Sequence, residues 1–202
     1  MINWALAAII GYLLGSIPVG YLVGKVRGID IRQYGSGATG GTNVLRTLGV
    51  LPAVVTGLSD LLKGVLGAYV GSRLGGDVGF ALGGFLALLG HSYPVWLKFK
   101  GGKSVATGGG SLILAHPLAF LLGLIAALCT IVPTRYVSLG SLVGALVLCT
   151  TIWVSPSVHV AIKLQALGAF TIVYVRHWEN MKRLAAGTEN KLGQKAAPRA
   201  GQ

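Results

Sequence analysis

The stretch SVATGGGSLILAHPLAFLLGLIAALCTIVPT, residues 104–134, contains no Lys, Arg, Asp or Glu. Residues 2–24 and residues 136–162 are equally free of these charged side chains. Because about 20 predominantly apolar residues in a helix suffice to cross the hydrocarbon core of a bilayer, the three runs have room for several crossings. The sequence therefore predicts an all-α, polytopic membrane helix bundle.

The overall composition supports the same class. Charged residues make up 11% of the 202 positions and hydrophobic residues 53%, whereas soluble domains contain about 25% charged residues. A net charge of +12 would suggest a nucleic-acid partner in a soluble protein, but Lys and Arg are also abundant in the cytoplasmic loops of membrane proteins. We therefore expect contact with membrane lipids and no nucleic-acid partner.

The cysteines and the N-terminal residues give two further expectations about this membrane protein. Cys129 and Cys149 lie in apolar runs without metal-ligand spacing, so we expect neither a disulfide framework nor a bound metal. No basic residue precedes Lys25, which favours a retained first span over a cleaved signal peptide. In the absence of a long polar segment, residues 1–202 are predicted to form a single domain with a short basic cytoplasmic tail over about 178–202.

The apolar runs and their interruptions predict about seven transmembrane helices. The fourth is about 18 Å long at 1.5 Å per residue, which is too short to cross the bilayer alone. Pro117 marks the start of the fifth, because proline suits the first turn of a helix and disrupts its interior. The predicted helices cover residues 3–24, 51–73, 79–97, 104–115, 117–133, 137–154 and 158–177.

The distribution of Lys and Arg predicts that the N-terminus lies outside and the C-terminus in the cytoplasm. In that orientation most of the 17 Lys and Arg residues, including Arg199 in the tail, lie on the cytoplasmic side, as the positive-inside rule requires. The exceptions are Lys63, Arg73 and Lys163. The polar segments 25–50, 98–104 and 176–191 then share the cytoplasmic face, where they can form one site.

The first polar segment contains GSGATGGTNVLR, residues 35–46. It fits the G-x-G-x-x-G pattern of dinucleotide-binding proteins, but no predicted strand precedes it, so we reject that function. Glycine-rich turns still allow several backbone N–H groups to point at one anion, and an arginine can hold a phosphate through two hydrogen bonds. The candidate phosphate-binding residues are Ser36, Gly37, Thr42, Asn43 and Arg46.

The second polar segment contains KFKGGKSVATGGG, residues 98–110. Its Gly-Lys-Ser sequence resembles the end of a nucleotide-binding P-loop, but Leu97 occupies the position where that motif needs its first glycine. We therefore reject ATP binding and keep Lys103 and Ser104 as candidate phosphate ligands. The alternative for both glycine-rich segments is a pair of flexible, solvated cytoplasmic loops.

The third polar segment is RHWENMKRLAAGTENK, residues 176–191. His177 and Asn180 lie three residues apart and so share one face of a helix, and a histidine can exchange protons near neutral pH. The alternative is an amphipathic helix on anionic lipid. Nearby, TRYVSLGS at residues 134–141 adds Ser141 as a candidate ligand, although small residues also serve helix packing.

Three titratable residues within predicted spans are candidates for a role beside the site. Asp60 and Lys63 are three positions apart in the second span, and because isolated charges are costly in hydrocarbon we expect them to form an ion pair. His91 lies near the cytoplasmic end of the third span, where a purely structural role is the alternative. All three are kept as possible supporting residues of the site.

Five motifs together resemble the bacterial acyl-phosphate:glycerol-3-phosphate acyltransferases, over about residues 11–191. They are GSIPVGYLVGK, GSGATGGTNVLRTLG, GHSYPVWLKFKGGKSVAT, TRYVSLGS and RHWENMKRLAAGTENK. The resemblance implies a seven-helix membrane enzyme that transfers a fatty acyl group from acyl phosphate to the 1-hydroxyl of glycerol 3-phosphate. It further implies that lysophosphatidic acid and phosphate are the products, that phospholipid biosynthesis is the pathway, and that neither coenzyme A nor a cofactor is used.

The resemblance also implies which residues act and where, namely at the cytoplasmic face of a bacterial cell membrane. The functional residues of the family fall on Ser36, Thr42, Asn43, Arg46, Lys103, Ser141, His177 and Asn180. Three positions depart from the usual family motifs. Ala38 replaces Asn, Gly41 replaces Ala, and Ser104 replaces the last Gly of G-G-K-G.

These residues suggest a mechanism without a covalent intermediate, because acyl phosphate is already activated. Arg46, Lys103 and the two glycine loops would hold phosphates, while Ser36, Asn43 and Asn180 would orient the glycerol backbone. His177 would accept the hydroxyl proton or orient a substrate phosphate oxygen that accepts it. The alternatives are a small transporter for a phosphorylated solute, which the lack of an internal repeat disfavours, and a non-catalytic lipid-binding scaffold.

Overall fold

The computed structural model describes residues 1–198, and every regular element in that range is a helix, as predicted. Arg199, which the charge distribution assigns to the cytoplasmic tail, lies outside the described residues. Short 3₁₀ helices cover Ile31–Gln33 and Val95–Leu97. The α-helices are α1 (Ile2–Ser16), α2 (Val19–Val26), α3 (Gly41–Leu48), α4 (Val50–Ser92), α5 (Val105–Ile113), α6 (Pro117–Thr134), α7 (Val137–Val154), α8 (Val160–Arg176) and α9 (Trp178–Ala185).

The first predicted helix is divided in the structure. Its range, 3–24, contains the end of α1 and the start of α2, with Ile17 in an extended conformation between them. Pro18 causes this break, because proline disfavours the helical conformation of the residue before it. The prediction of one uninterrupted helix was therefore wrong at this point.

The predicted helices 51–73 and 79–97 are two arms of α4, which turns at Gly75 and Gly76. Gly76 has a φ of 60°, a conformation that favours glycine. The arms pack through small residues: a Cβ placed on Gly71 would lie 2.1 Å from the carbonyl oxygen of Gly79. The second arm ends at Ser92 instead of residue 97, two residues before Pro94.

Close backbone contacts also hold α1, α5 and the α6–α7 pair. A Cβ on Gly15 of α1 would lie 1.9 Å from the carbonyl oxygen of Ala87, and one on Gly110 of α5 would lie 2.2 Å from that of Leu61. Such small-residue interfaces are typical of helices that pack within membranes. They gather α1 and α5 around α4 and leave α6 and α7 as a second packed pair.

Within residues 1–198, four segments are long and apolar enough to cross a membrane, namely Ile2–Val26, Val50–Leu97, Pro117–Thr134 and Val137–Val154. Leu58 and Leu128 are 63% and 50% exposed, as expected for a surface that contacts lipid. Helix α5 has nine residues and is short, as predicted. The short helices α3 and α9 were not predicted. The number of about seven transmembrane helices and the side of each terminus stay predictions.

Candidate active site

A pocket of about 430 Å³ lies where α3, α5, α9 and the ends of α7 and α8 meet. Its apolar part is lined mainly by α5, α6, α7 and α8, with Leu112, Phe120, Leu124, Ile131, Leu148, Ala166 and Phe170. Its polar part is lined by Ser36, Thr42, Asn43, Arg46, Lys103, Ser104, Ser138, Ser141, His177, Asn180 and Glu189. The three polar segments thus meet at one site, as the sequence predicted.

Lys103 provides the positive charge at the centre of the polar part. Its amino group donates a hydrogen bond to the side-chain oxygen of Asn180. Burial lowers the pKa of Lys103 to about 8, the carboxylate of Glu189 opposes this shift, and Arg183, Arg46 and Arg176 add to it. The amine is therefore mostly protonated at neutral pH and can attract an anion.

Glu189, in the segment after α9, joins α9 to α7 beside the pocket, a role that was not predicted from the sequence. Its Oε1 accepts hydrogen bonds from Asn180 Nδ2 at 2.6 Å and Ser138 Oγ at 3.0 Å, and its Oε2 accepts one from Arg183 Nε at 2.8 Å. Despite burial, these bonds and the charge of Arg183 lower the pKa of Glu189. The ionised carboxylate therefore fixes the amide of Asn180 with its oxygen towards Lys103.

His177 is buried at the joint between α8 and α9. Its Nδ1 lies 2.8 Å from the carbonyl oxygen of Val173, and since a carbonyl can only accept, Nδ1 carries the proton and donates. Burial, with the nearby charge of Lys103, lowers the pKa of His177 to about 4. The imidazole is thus neutral at pH 7, and the lone pair on Nε2 is available to accept a proton.

Among the described helices, α3, α5, α7 and α9 begin beside the polar part of the pocket. Its lining includes the first turns of α3 and α5, and His177 and Asn180 at the start of α9. Backbone N–H groups in a first turn lack intrahelical acceptors, and the helix dipole is positive at this end. Together with Lys103 and Arg46 these groups make an electrostatic environment that suits phosphate.

Arg46 of α3 adds a second cationic side chain to the lining of the pocket. Its Nη2 donates to the carbonyl oxygen of Asn190 at 3.0 Å. Its Nε is buried and has no hydrogen-bond partner among the described residues. Since an unsatisfied buried donor costs about 1–3 kcal/mol, Arg46 is well suited to take up an additional acceptor.

Asn43 acts on the protein backbone more than on the pocket. Its Nδ2 lies 3.0–3.1 Å from the carbonyl oxygens of Ile31, Tyr34 and Ala38, and its Oδ1 accepts from the N–H of Ser36 at 3.2 Å. These bonds show that Asn43 orients the loop, and its contact with the glycerol backbone stays a prediction.

Gly37 and Ser36 shape the same loop. Gly37 is not among the residues that line the pocket; its N–H donates to the carbonyl oxygen of Tyr34, and its φ is 70°. The prediction of Gly37 as a phosphate ligand is therefore corrected to a role in the turn. Ser36 does line the pocket, with its Oγ 3.4 Å from the N–H of Ala38; its contact with substrate stays a prediction, as does that of Thr42.

The glycines of the Gly-Gly-Lys segment serve a different purpose from the one predicted. The N–H groups of Gly101 and Gly102 donate to the carbonyl oxygens of Ser92 and His91 at the end of α4. A Cβ on Gly101 would lie 2.1 Å from the carbonyl oxygen of His91. The two glycines therefore permit close packing on α4, and their N–H groups are not free to bind phosphate.

Ser104 differs from its predicted role as well. Its hydroxyl donates to the carbonyl oxygen of Leu88 at 2.7 Å and lies 2.6 Å from Ser92 Oγ, so it binds α4 instead of a phosphate. Its φ of 61° explains why glycine suits this position in the resembling motif. Ser141 lines the pocket, with its hydroxyl 2.9 Å from the carbonyl oxygen of Val137.

Beneath the pocket, Asp60 and Lys63 form the predicted ion pair. The Nζ of Lys63 lies 2.9 Å from Asp60 Oδ1 and donates to the carbonyl oxygen of Ile17 at 3.2 Å. His91 Nδ1 lies 3.3 Å from the same carboxylate oxygen. Asp60 and His91 contact the pocket, whereas Lys63 faces the joint between α1 and α2. These contacts hold Asp60 and His91 in place in the wall of the pocket.

A family model described as "Glycerol-3-phosphate acyltransferase" matches residues 5–187. The chain is 60% identical over 195 residues to a glycerol-3-phosphate acyltransferase of Symbiobacterium thermophilum, with 96% of each chain covered. It is 45% identical over 192 residues to that of Agrobacterium fabrum, covering 95% of this chain and 93% of the relative.

Two solved structures have the same fold. Both are crystal structures of PlsY (YgiH), an integral membrane glycerol 3-phosphate acyltransferase, and both are 34% identical to this chain over 94% of its length. The glycerol 3-phosphate form superposes with a TM-score of 0.90 and 96% of its chain covered. The lysophosphatidic acid form gives 0.87, with 95% covered.

Proposed function

The chain belongs to the glycerol-3-phosphate acyltransferase family, and from that membership we propose that it transfers a fatty acyl group from acyl phosphate to the 1-hydroxyl of glycerol 3-phosphate. The products are lysophosphatidic acid and inorganic phosphate, and coenzyme A takes no part. The observation that carries this proposal is one pocket in which a cationic part adjoins an apolar part between α5, α6, α7 and α8.

The cationic part suits two phosphate groups held close together. Lys103 and Arg46 bear the positive charges, and the first turns of α3, α5 and α9 add N–H donors. Two anions repel each other in water, so a preorganised positive site that holds both lowers the cost of bringing the reactants together. Orientation of this kind can remove about 7–11 kcal/mol from a reaction barrier.

The reaction needs a nucleophilic hydroxyl, an electrophilic carbonyl and a place for one proton. The hydroxyl oxygen of glycerol 3-phosphate attacks the acyl carbon, the bond from that carbon to the phosphate oxygen breaks, and phosphate leaves with the bonding electrons. Nε2 of His177 takes the hydroxyl proton, since Nδ1 is held by Val173. Lys103 neutralises the charge that grows on the leaving phosphate, an effect that strengthens in the transition state.

The apolar part suits the acyl chain. Phe120 and Leu124 of α6 face Leu112 of α5 and Ala166 of α8 across the pocket, and these side chains offer no hydrogen bonds to a polar ligand. The acyl chain of the donor enters sideways from the lipid, between the helices, so that its acyl phosphate group lies beside Lys103. We place the polar end of the pocket, which contains Lys103, at the cytoplasmic face of a bacterial cell membrane, where glycerol 3-phosphate is dissolved.

The test is an assay of the purified protein in lipid nanodiscs. Acyl phosphate and acyl-coenzyme A are compared as donors to glycerol 3-phosphate, and both lysophosphatidic acid and phosphate are measured. We expect product from acyl phosphate only, with Lys103→Ala inactive and the exposed-residue control Lys182→Ala unchanged. Transfer from acyl-coenzyme A would overturn the donor, and uptake of glycerol 3-phosphate into sealed vesicles without product would favour a transporter.

A further inference from the structure

The guanidinium group of Arg176 lies against the two peptide units that precede Lys103. Its Nε donates to the carbonyl oxygen of Gly102 at 3.1 Å, and its Nη2 donates to that of Gly101 at 3.2 Å. Arg176 is the last residue of α8 and does not line the pocket. It therefore contacts the loop that carries Lys103 on the side away from the pocket, where it does not reach a substrate.

The N–H groups of the same two glycines are bonded to α4. The N–H of Gly101 donates to the carbonyl oxygen of Ser92 at 3.2 Å, and that of Gly102 donates to His91 at 3.0 Å. Each of the two glycines thus donates its N–H to a carbonyl oxygen of α4 and accepts a hydrogen bond from Arg176 at its own carbonyl oxygen. Removal of either set of bonds would release one edge of the loop that carries Lys103.

The guanidinium itself is supported by an aromatic ring. Its central carbon lies 5.2 Å from the ring centroid of Tyr93, within the range of a cation–π contact. Tyr93 is fixed in turn, because Tyr12 of α1 donates to its carbonyl oxygen at 2.8 Å. Arg176 is therefore oriented from three directions, by a ring and two carbonyl groups.

We propose that Arg176 is a positioning residue for the transfer reaction, because it joins the loop that carries Lys103 to the helix end that carries His177. His177 directly follows Arg176 in the chain, and Asn180, the partner of the Lys103 amine, lies in the next turn. One side chain thus fixes the lysine that holds a phosphate relative to the histidine that takes the proton. The role rests on the proposed function.

The first test separates positioning from binding by steady-state kinetics. We expect Arg176→Gln to lower kcat by about 10- to 100-fold, since small displacements of a reacting group have effects of this size, and to change KM for glycerol 3-phosphate far less. Arg176→Lys should not restore kcat, because an ammonium group cannot contact both carbonyls as the planar fork does. The exposed arginine variant Arg27→Gln is the matched control and should behave as wild type.

The aromatic support provides a second, milder pair of variants. Tyr93→Phe keeps the ring and should retain the wild-type kcat, whereas Tyr93→Leu removes the cation–π contact and should lower kcat in the same direction as Arg176→Gln. The melting temperature of each variant in nanodiscs shows whether it folds. A folded Arg176→Gln protein with wild-type kcat would overturn the proposal.

A readout that does not depend on turnover completes the test. Wild type and Arg176→Gln are treated with an acetylating ester, and the modification rate of each lysine is followed by mass spectrometry, with exposed Lys182 as the internal reference. We expect Lys103 to react faster in the variant, because its loop is released. Equal modification rates of Lys103 in the wild type and in a folded Arg176→Gln variant would contradict the positioning role of Arg176. If the rates differ but the wild type has no transfer activity, only the proposed function is overturned.

Discussion

The amino group of Lys103 bonds to the side-chain oxygen of Asn180, a residue 77 positions further along the chain. This contact joins the loop before α5 to the first turn of α9 and defines the polar part of the pocket. It places the lysine among three arginines and one carboxylate, in a buried setting that lowers its pKa to about 8. The protonation of this amine is therefore the main expected source of pH dependence.

The first prediction concerns alkaline pH. Lys103 attracts phosphate only when protonated, and its pKa is lowered from 10.5 to about 8, so kcat/KM should fall as pH rises past about 8. In Lys103→Arg the charge persists at high pH, because a guanidinium stays protonated, and the alkaline decline should disappear whatever the remaining activity. A wild-type profile that stays flat to about pH 10, the usual range for lysine, would contradict this.

The second prediction concerns the protonation of His177. With a pKa lowered from 6.5 to about 4, the imidazole should remain neutral at pH 7 and titrate only well below pH 6. The measurement is NMR of the protein with isotope-labelled histidine, in which the His177 signal is assigned from His177→Gln. A titration near pH 6.5 would mean that His177 is charged in part at neutral pH and would argue against its role as proton acceptor.

The third prediction concerns Glu189, which is 5% exposed. Glu189→Ala leaves the buried donors of Asn180 and Ser138 without an acceptor, at about 1–3 kcal/mol each, so both the melting temperature and kcat should fall. Glu179→Ala is the control, because that carboxylate is exposed and its pair with Lys182 is worth about 0–1 kcal/mol. Equal melting temperatures for the two variants would show that Glu189 does not join the elements.

The fourth prediction concerns Ser104. Ser104→Ala keeps the left-handed backbone and loses the hydroxyl bonds to Leu88 and Ser92, so it should destabilise the protein by about 1–2 kcal/mol. Ser104→Gly loses the same bonds but relieves about 1 kcal/mol of backbone strain, so its melting temperature should lie between alanine and wild type. An alanine variant at least as stable as the glycine variant would refute the strain at this position.

The fifth prediction concerns the buried ion pair of Asp60 and Lys63. Asp60→Asn leaves the lysine unpaired inside the membrane helices and should cost about 3–5 kcal/mol of stability. The double variant Asp60→Asn/Lys63→Met removes both charges and should recover part of that loss, as judged by melting temperature in nanodiscs. If the double variant lost as much stability as the single variants Asp60→Asn and Lys63→Met together, the two charges would not stabilise each other.

Much of the fold follows from the sequence because the runs without charge leave few alternatives to membrane helices. The break at Pro18 was missed because the apolar run continues through it, whereas the backbone cannot. Helix α3 was missed because Gly40 and Gly41 were interpreted as part of a glycine-rich turn that binds phosphate. In the structure they precede and begin a helix whose first turn faces the pocket.

The site was predictable as a set of residues but not as a set of contacts. Lys103, His177 and Arg46 meet at the pocket because each lies in a polar segment at a helix end. Glu189 lies in the same quoted motif as His177, yet its link to Ser138 spans 51 positions and no local spacing reveals it. At Gly101 the sequence suggested a contact that the structure does not have: the residue was predicted to help bind phosphate, but it packs closely on α4 instead.

The segment after α9 has a consequence for the order in which the molecule is made. Its backbone bonds to Arg135 beyond α6, to Arg46 of α3 and to Gly35, and its Glu189 lines the pocket. These residues follow all nine described helices in the chain and leave the ribosome after them. A nascent chain with its nine helices already inserted would therefore still lack Glu189, the carboxylate that orients Asn180 towards Lys103, and full turnover should begin only after the segment has been translated and has folded back.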